Sequence, residues 1–103
     1  MGKITKTRWG SYNVLFERNG YKIKTLHINP GESLSDQRHF KRSEHWFVLE
    51  GELSVNGKLY YKNNIIDIPV ENWHKPANIS NSECIVCEIQ YGEECIEQDI
   101  ERR

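Results

Sequence analysis

The rhythm of its turns constrains this chain more than any other feature. Asn19-Gly20, Pro30-Gly31, Glu50-Gly51, Asn56-Gly57 and Asn63-Asn64 punctuate it, and such pairs suit the tight or left-handed backbone of a turn. Between them lie "YNVLFE", "YKIKTLHI", "HWFVLEGELSV", "KLYYK", "NIIDIPV" and "CIVCEIQY". These short segments are rich in β-branched and aromatic residues, which favour a pleated, half-buried surface. Asn56-Gly57, between "LSV" and "KLYYK", predicts a two-residue hairpin because both residues accept positive φ. No helical period appears before the tail, where residues 93–103, "EECIEQDIERR", are expected to form a short helix or to fray. Short antiparallel strands with turns about 8–12 residues apart close into a sandwich or barrel. With 103 residues and no linker, repeat or low-complexity segment, residues 1–103 read as one all-β domain. Its expected core is Leu15, Ile23, Leu26, Phe47, Leu49, Ile66, Ile68, Ile85 and Val86, divided between barrel interior and sheet packing.

Charge and cysteine usage exclude several functions. A net charge of −1 offers no global attraction to nucleic acid or an anionic membrane. No apolar run approaches the ~20 residues of a membrane span. The opening "MGKITKTRWG" lacks the apolar centre of a signal peptide, and "MGKITK" resembles an acylation start only superficially. Three cysteines, an odd number, point to a reducing, cytoplasmic setting. Cys84 and Cys87 spell C-x-x-C, yet residues three apart on a strand face opposite ways, so one metal or one disulfide does not engage both. Cys95 falls in the acidic tail and carries no signal.

The chemistry concentrates in "QRHFKRSEHW". Gln37 and His39 are two apart, so on a strand both point to one face. Glu44 follows His39 after a short loop's length. Together with Gly31 and Gly51 they read G-x5-Q-x-H-x4-E-x6-G. Further on, "NNIIDIPVENWHKPAN" spaces Asn63, Pro69, Glu71, His74 and Asn78 as N-x5-P-x-E-x2-H-x3-N.

Both runs resemble the signature motifs of the cupin superfamily, G-x5-H-x-H-x3,4-E-x6-G and G-x5-P-x-G-x2-H-x3-N. Gln37 stands in the first histidine position, and Asn63 and Glu71 stand where glycines usually do. Two independent motifs at matching spacing are far more specific than either alone. "RWGSYNVL", "PGESLSDQRHFKRSEHWFVLEGE" and "IPVENWHKPAN" narrow the likeness, over roughly residues 8 to 100. They resemble the C-terminal cupin domain of type II phosphomannose isomerases, which usually follows a mannose-1-phosphate guanylyltransferase domain. No glycine-rich nucleotide-binding segment of that preceding domain occurs in these residues. The resemblance implies a jelly-roll β-barrel and a metal held by Gln37, His39, Glu44 and His74.

An amide oxygen, two imidazoles and a carboxylate suit Zn²⁺, Mn²⁺, Co²⁺, Ni²⁺ or Fe²⁺ rather than a soft metal. With only Glu44 anionic, a divalent ion leaves the centre at +1. Arg38, Lys41, Arg42 and Lys75 are expected near it as an electropositive mouth that favours a sugar phosphate, with Arg38 and Lys41 reading equally well as solvent-facing. The implied activity is aldose–ketose isomerisation of mannose 6-phosphate and fructose 6-phosphate. Arg42 is expected to contact substrate or stabilise the enediolate, and Lys75 to hold phosphate; no residue stands out as the base. His27 and His45 read as ordinary histidines, with His45 facing away from the ligand set. Trp46 and Trp73 read as packing residues rather than sugar platforms. A homodimer is expected of so small a barrel. Two other readings remain open: a step on another phosphorylated or nucleotide-activated sugar in surface-polysaccharide synthesis, and a non-enzymatic metal- or sugar-binding cupin.

Overall fold

Strict alternation along three long strands organises the computed structural model, which describes residues 3–103. Met1 and Gly2, on which the acylation reading falls, lie outside the described residues. The chain opens with β1 (Ile4–Lys6), β2 (Gly10–Arg18) and β3 (Tyr21–Ile28). β4 (Gln37–Arg38) and β5 (Arg42–Glu50) carry the first motif, and β6 (Glu52–Val55) and β7 (Lys58–Tyr61) form a hairpin. β8 (Ile65–Ile68), β9 (Pro76–Ala77), β10 (Cys84–Gly92) and β11 (Glu101–Arg102) follow. A six-stranded sheet in the order β1-β2-β3-β10-β5-β8 faces a three-stranded sheet, β7-β6-β9, and a two-stranded one, β11-β4. The pairings are antiparallel throughout. Asn56 and Gly57, at φ 53 and 85, make the expected hairpin turn. Among the described residues no helix is long and apolar enough to cross a membrane.

The inward residues form rows across β3, β10 and β5. Leu26, Val86 and Val48 are register partners and make an apolar row, next to the inward pair Ile28 and Cys84. The next row is Lys24, Glu88 and Trp46, and the one beyond is Lys22, Gln90 and Glu44. One end of the barrel is therefore a dry core, completed by Leu53, Val55, Ile66 and Ile68, whose fully buried members contribute about 2 kcal/mol each. The other end is buried and polar.

This register corrects part of the expected core. Leu26, Ile66, Ile68 and Val86 are buried, but Leu15 and Leu49 are exposed, and Ile23, Phe47 and Ile85 lie half-buried on the outer face. Period two forbids Ile23 from sharing a face with Leu26, or Phe47 with Glu44. Ile28, Trp46, Val48, Leu53, Val55 and Cys84 take their places. Cys84 points inward and Cys87 outward, and burial pushes the Cys84 thiol up to about 11. The tail forms neither helix nor frayed end. Cys95 is buried, β11 pairs with β4, and residues 93–103 run as a strap across the polar mouth.

The turns explain the motif glycines. Gly51 has φ 76, and a Cβ there would meet the Glu83 carbonyl oxygen at 2.5 Å. Asn63 and Glu71, in the other motif's glycine positions, keep left-handed φ values of 74 and 66 without being glycine. Asparagine tolerates this backbone; glutamate does so at a cost of about 1–2 kcal/mol. Glu71→Gly keeps the main-chain bond from residue 71 to the His39 carbonyl, 2.7 Å long. It is expected to stabilise the fold by up to about 1 kcal/mol after glycine's extra chain entropy is subtracted. A lower midpoint in denaturant unfolding would contradict that origin of the turn.

Candidate metal centre

Two loops and one strand bring the motif residues together. His39 follows β4, Glu44 is an inward residue of β5, and His74 precedes β9. The loops are stitched by main-chain bonds: Gln37 donates to the His74 carbonyl at 3.0 Å and His74 to the Gln37 carbonyl at 2.8 Å. His39, Glu44 and His74 are all buried, and one potential ligand atom from each lies within 4.8 Å of the others. Gln37 lines the same cavity of about 470 Å³, and its amide nitrogen donates to the Ser35 carbonyl at 3.3 Å.

Hydrogen bonds fix the tautomers. His39 Nδ1 donates to the Asp99 carbonyl at 2.6 Å, and His74 Nδ1 to the Asn72 carbonyl at 3.0 Å. A carbonyl only accepts, so each Nε2 is left with its lone pair, the arrangement a metal-binding histidine needs. Burial, and then the Arg42 charge, lower His39 to about 4; burial likewise lowers His74. Both rings are thus neutral and ready to coordinate at neutral pH. His39 Nε2 and Glu44 Oε2 stand 3.3 Å apart, two acceptors that repel unless a cation serves both. Arg42 does so: its Nε donates to Glu44 Oε2 at 3.0 Å and its Nη2 to His39 Nε2 at 3.2 Å. The other carboxylate oxygen, Oε1, accepts from the Trp46 indole at 2.9 Å. The donor set fits a divalent ion.

The other named cations divide sharply. Arg42 is buried and lines the cavity. Lys75, expected to hold phosphate, is instead exposed and outside the cavity lining, because inward His74 turns its neighbour outward. Lys41 is exposed and paired with Glu94 at 2.6 Å. Arg38 is bound to Glu101 at 2.6 Å and stacks over Phe40 and Trp73. His45 faces outward toward Asp67 at 3.0 Å, and His27 lies 3.4 Å from Glu83. Trp46 is core; Trp73 is half-buried under Arg38 and Arg103.

Sequence reasoning missed the inner polar rows. Lys24, Glu88 and Gln90 line the cavity. Glu88 is raised to about 8 by burial first and then by the Glu44 charge. Gln90 donates to Glu88 Oε1 at 2.8 Å, while its own Oε1 is buried without a partner, an acceptor left for a ligand hydroxyl or a water. The signal was present: Lys22 and Lys24 share parity with Leu26 and Ile28, and Glu88 and Gln90 with Cys84 and Val86.

Comparison with known proteins follows the same outline. Residues 3–103 match the family model described as mannose-6-phosphate isomerase C-terminal. The chain is 35% identical over 98 residues to the alginate biosynthesis protein AlgA of Pseudomonas putida, covering 91% of this chain and 20% of that protein. It is 33% identical over 98 residues to the mannose-1-phosphate guanylyltransferase of Escherichia coli K12, again with 91% and 20% coverage. The chain thus spans about a fifth of the length of the curated relatives it matches. An RmlC-like cupin from Shewanella frigidimarina superposes with a TM-score of 0.79 at 17% identity, over 94% of this chain and 87% of that one. The barrel is a cupin-type jelly roll.

The buried rings give stability a definite pH dependence. His39 and His74 have folded values below the usual 6.5, so their contribution is present above pH 6.5 and is lost as pH falls toward 4. Glu88, raised above 4.5, acts oppositely: its contribution is present below pH 4.5 and is lost as pH rises toward 8. Glu88 opposes the rings over part of this window, so the test is a difference: on acidification from pH 6.5 to 4 the urea midpoint of the metal-free protein should move downward relative to that of His39→Gln. Equal slopes for the two proteins would contradict a buried neutral His39.

Proposed function

The chain belongs to the mannose-6-phosphate isomerase C-terminal family, and from that premise we propose that it is a metal-dependent sugar-phosphate isomerase interconverting mannose 6-phosphate and fructose 6-phosphate. The observation that carries this reading is the convergence of two neutral imidazoles and a carboxylate in a cavity that Arg42 and Lys24 also line. His39, Glu44 and His74, with Gln37 beside them, would hold a divalent ion, which as a Lewis acid supplies stabilisation of negative charge on a substrate oxygen.

Isomerisation moves a proton between adjacent carbons through an enediol, so the cavity needs a proton carrier. Glu88 is the carboxyl suited to it: buried, in the cavity wall, and raised to about 8 by burial and by Glu44. As the base it must be ionised, so turnover should fall as pH drops below its value, which a nearby dication shifts downward. Arg42 lines the cavity with its guanidinium donors, where it can stabilise the enediolate. The orphan oxygen of Gln90 accepts from a sugar hydroxyl.

One observation favours a second reading, a cupin that binds a sugar without turning it over. Arg42 already bonds two of the three metal-facing donors, so those two are satisfied without an ion. An NMR assay of mannose 6-phosphate and fructose 6-phosphate with Zn²⁺, Mn²⁺, Co²⁺, Ni²⁺ and Fe²⁺ separates the two. Interconversion with at least one ion is expected; its absence with all of them would leave the binding reading.

Two substitutions test the roles. His74→Ala removes a ligand and should lose metal and turnover together. Arg42→Ala removes a competing cation, so metal content measured after dialysis should hold or rise, while turnover falls by the equivalent of about 2–4 kcal/mol. Lysine at position 42 should rescue only in part, lacking the planar fork. Loss of metal from Arg42→Ala as complete as from His74→Ala would make Arg42 a structural clamp and nothing more.

A further inference from the structure

Two lysines lie where lysines are rarely found. Lys22 and Lys24 are consecutive inward residues of β3, 7% and 6% exposed, and ammonium groups are almost never enclosed without a counter-charge. Their shared partner is a single oxygen: Glu97 Oε2 lies 2.9 Å from Lys22 Nζ and 2.8 Å from Lys24 Nζ. Glu17, the other carboxylate nearby, is 3.7 Å from Lys22 and largely exposed, and the Tyr12 ring lies under Lys24 at 4.5 Å. Each ammonium has three donors, so one carboxylate oxygen leaves most of them unused.

Glu97 comes from outside the barrel wall. It sits on the irregular strap, its side chain 54% exposed, and it lines the same cavity as Lys24, Arg42, His39, Glu44 and His74. The strap is anchored on both sides of it. Arg42 Nη1 donates to the Ile96 carbonyl at 2.9 Å, and the Asp99 carboxylate accepts from the main-chain nitrogens of Phe40 at 3.0 Å and Lys41 at 2.8 Å. Glu97 itself makes side-chain bonds only to the two lysines among the described residues. Burial opposes its charge, but the bonds and charges of Lys24 and Lys22 outweigh that and hold it down to about 2. It is an anion at every working pH.

We propose that Lys22 and Lys24 form a phosphoryl-binding subsite whose resident occupant is the chain's own Glu97 carboxylate, which a phosphorylated ligand displaces. A phosphoryl group brings up to two charges and three acceptor oxygens, matching two ammoniums better than one carboxylate oxygen does. The proposal rests on the sugar-phosphate reading for the identity of the ligand and assigns its anionic end a place that Lys75 does not provide. Glu97 then works as a tethered competitor, and apparent affinity is reduced by the fraction of molecules in which it is docked.

Inorganic phosphate, titrated into the metal-free protein and followed by amide shifts, tests this without any turnover. If Glu97 is docked in about nine molecules of ten, Glu97→Gln should bind phosphate about tenfold more tightly than the native chain. Glu94→Gln, which removes an equal charge from the strap beside exposed Lys41, should not. Lys24→Gln should weaken binding. In the native chain, shifts should centre on residues 22–24 and 96–99, a readout that stands even if Glu97→Gln folds poorly. Unchanged or weaker binding by a folded Glu97→Gln, or shifts that avoid both segments, would overturn the proposal. Phosphate binding as described with no sugar-phosphate interconversion would sink the isomerase reading alone.

Discussion

Everything at the mouth of this barrel follows from two acceptors placed 3.3 Å apart. His39 Nε2 and Glu44 Oε2 are both enclosed, and the group that bonds both is the Arg42 guanidinium. A cation must lie against them, and the arrangement around them is tuned to accept one. Carbonyls of Asp99 and Asn72 hold the imidazoles in the tautomer that points a lone pair inward. Trp46 holds one carboxylate oxygen so that the other faces His39. Arg42 supplies the charge through two of its donors. A divalent ion held by the same donors would compete with the guanidinium for one place.

The polar end is affordable only because the apolar end is well packed. Each of the inner rows is set by the register of β3, β10 and β5, and a slip by one residue would exchange Lys24, Glu88 and Trp46 for their outward neighbours. The same register holds Leu26, Val86 and Val48 in the dry core. Burial of those side chains fixes the position of the lysines and carboxylates above them, although the latter gain nothing from being enclosed. The strap completes the enclosure, and Glu97 offsets charge that the barrel wall leaves exposed to itself.

Turn pairs and motif spacing made the fold and the meeting of three candidate ligands legible. Asn56-Gly57 behaved as its φ preference requires, and His39, Glu44 and His74 met although thirty residues of sequence separate the last two. What escaped was parity. Ile23 and Leu26 look equally apolar, yet they sit three apart on one strand and face opposite ways; counting inward from Leu26 and Ile28 leads to Lys24 and Lys22. Lys75 was misplaced by the same omission, since a ligand's immediate neighbour on an extended backbone points away from it. Glu97 and Asp99 could not be read at all, because strap residues act through long-range contacts with β3 and with the loop before β5 that no local pattern announces.

The measurement that bears most directly on this account is the ring ¹⁵N spectrum of the four histidines near neutral pH, with and without Zn²⁺. His39 and His74 should appear as neutral Nδ1–H tautomers, and added Zn²⁺ should shift Nε2 of those two rings while leaving His27 and His45 unchanged. Protonated or Nε2–H rings at His39 and His74, or Zn²⁺ shifts confined to His27 and His45, would contradict a cation centre built from the motif residues.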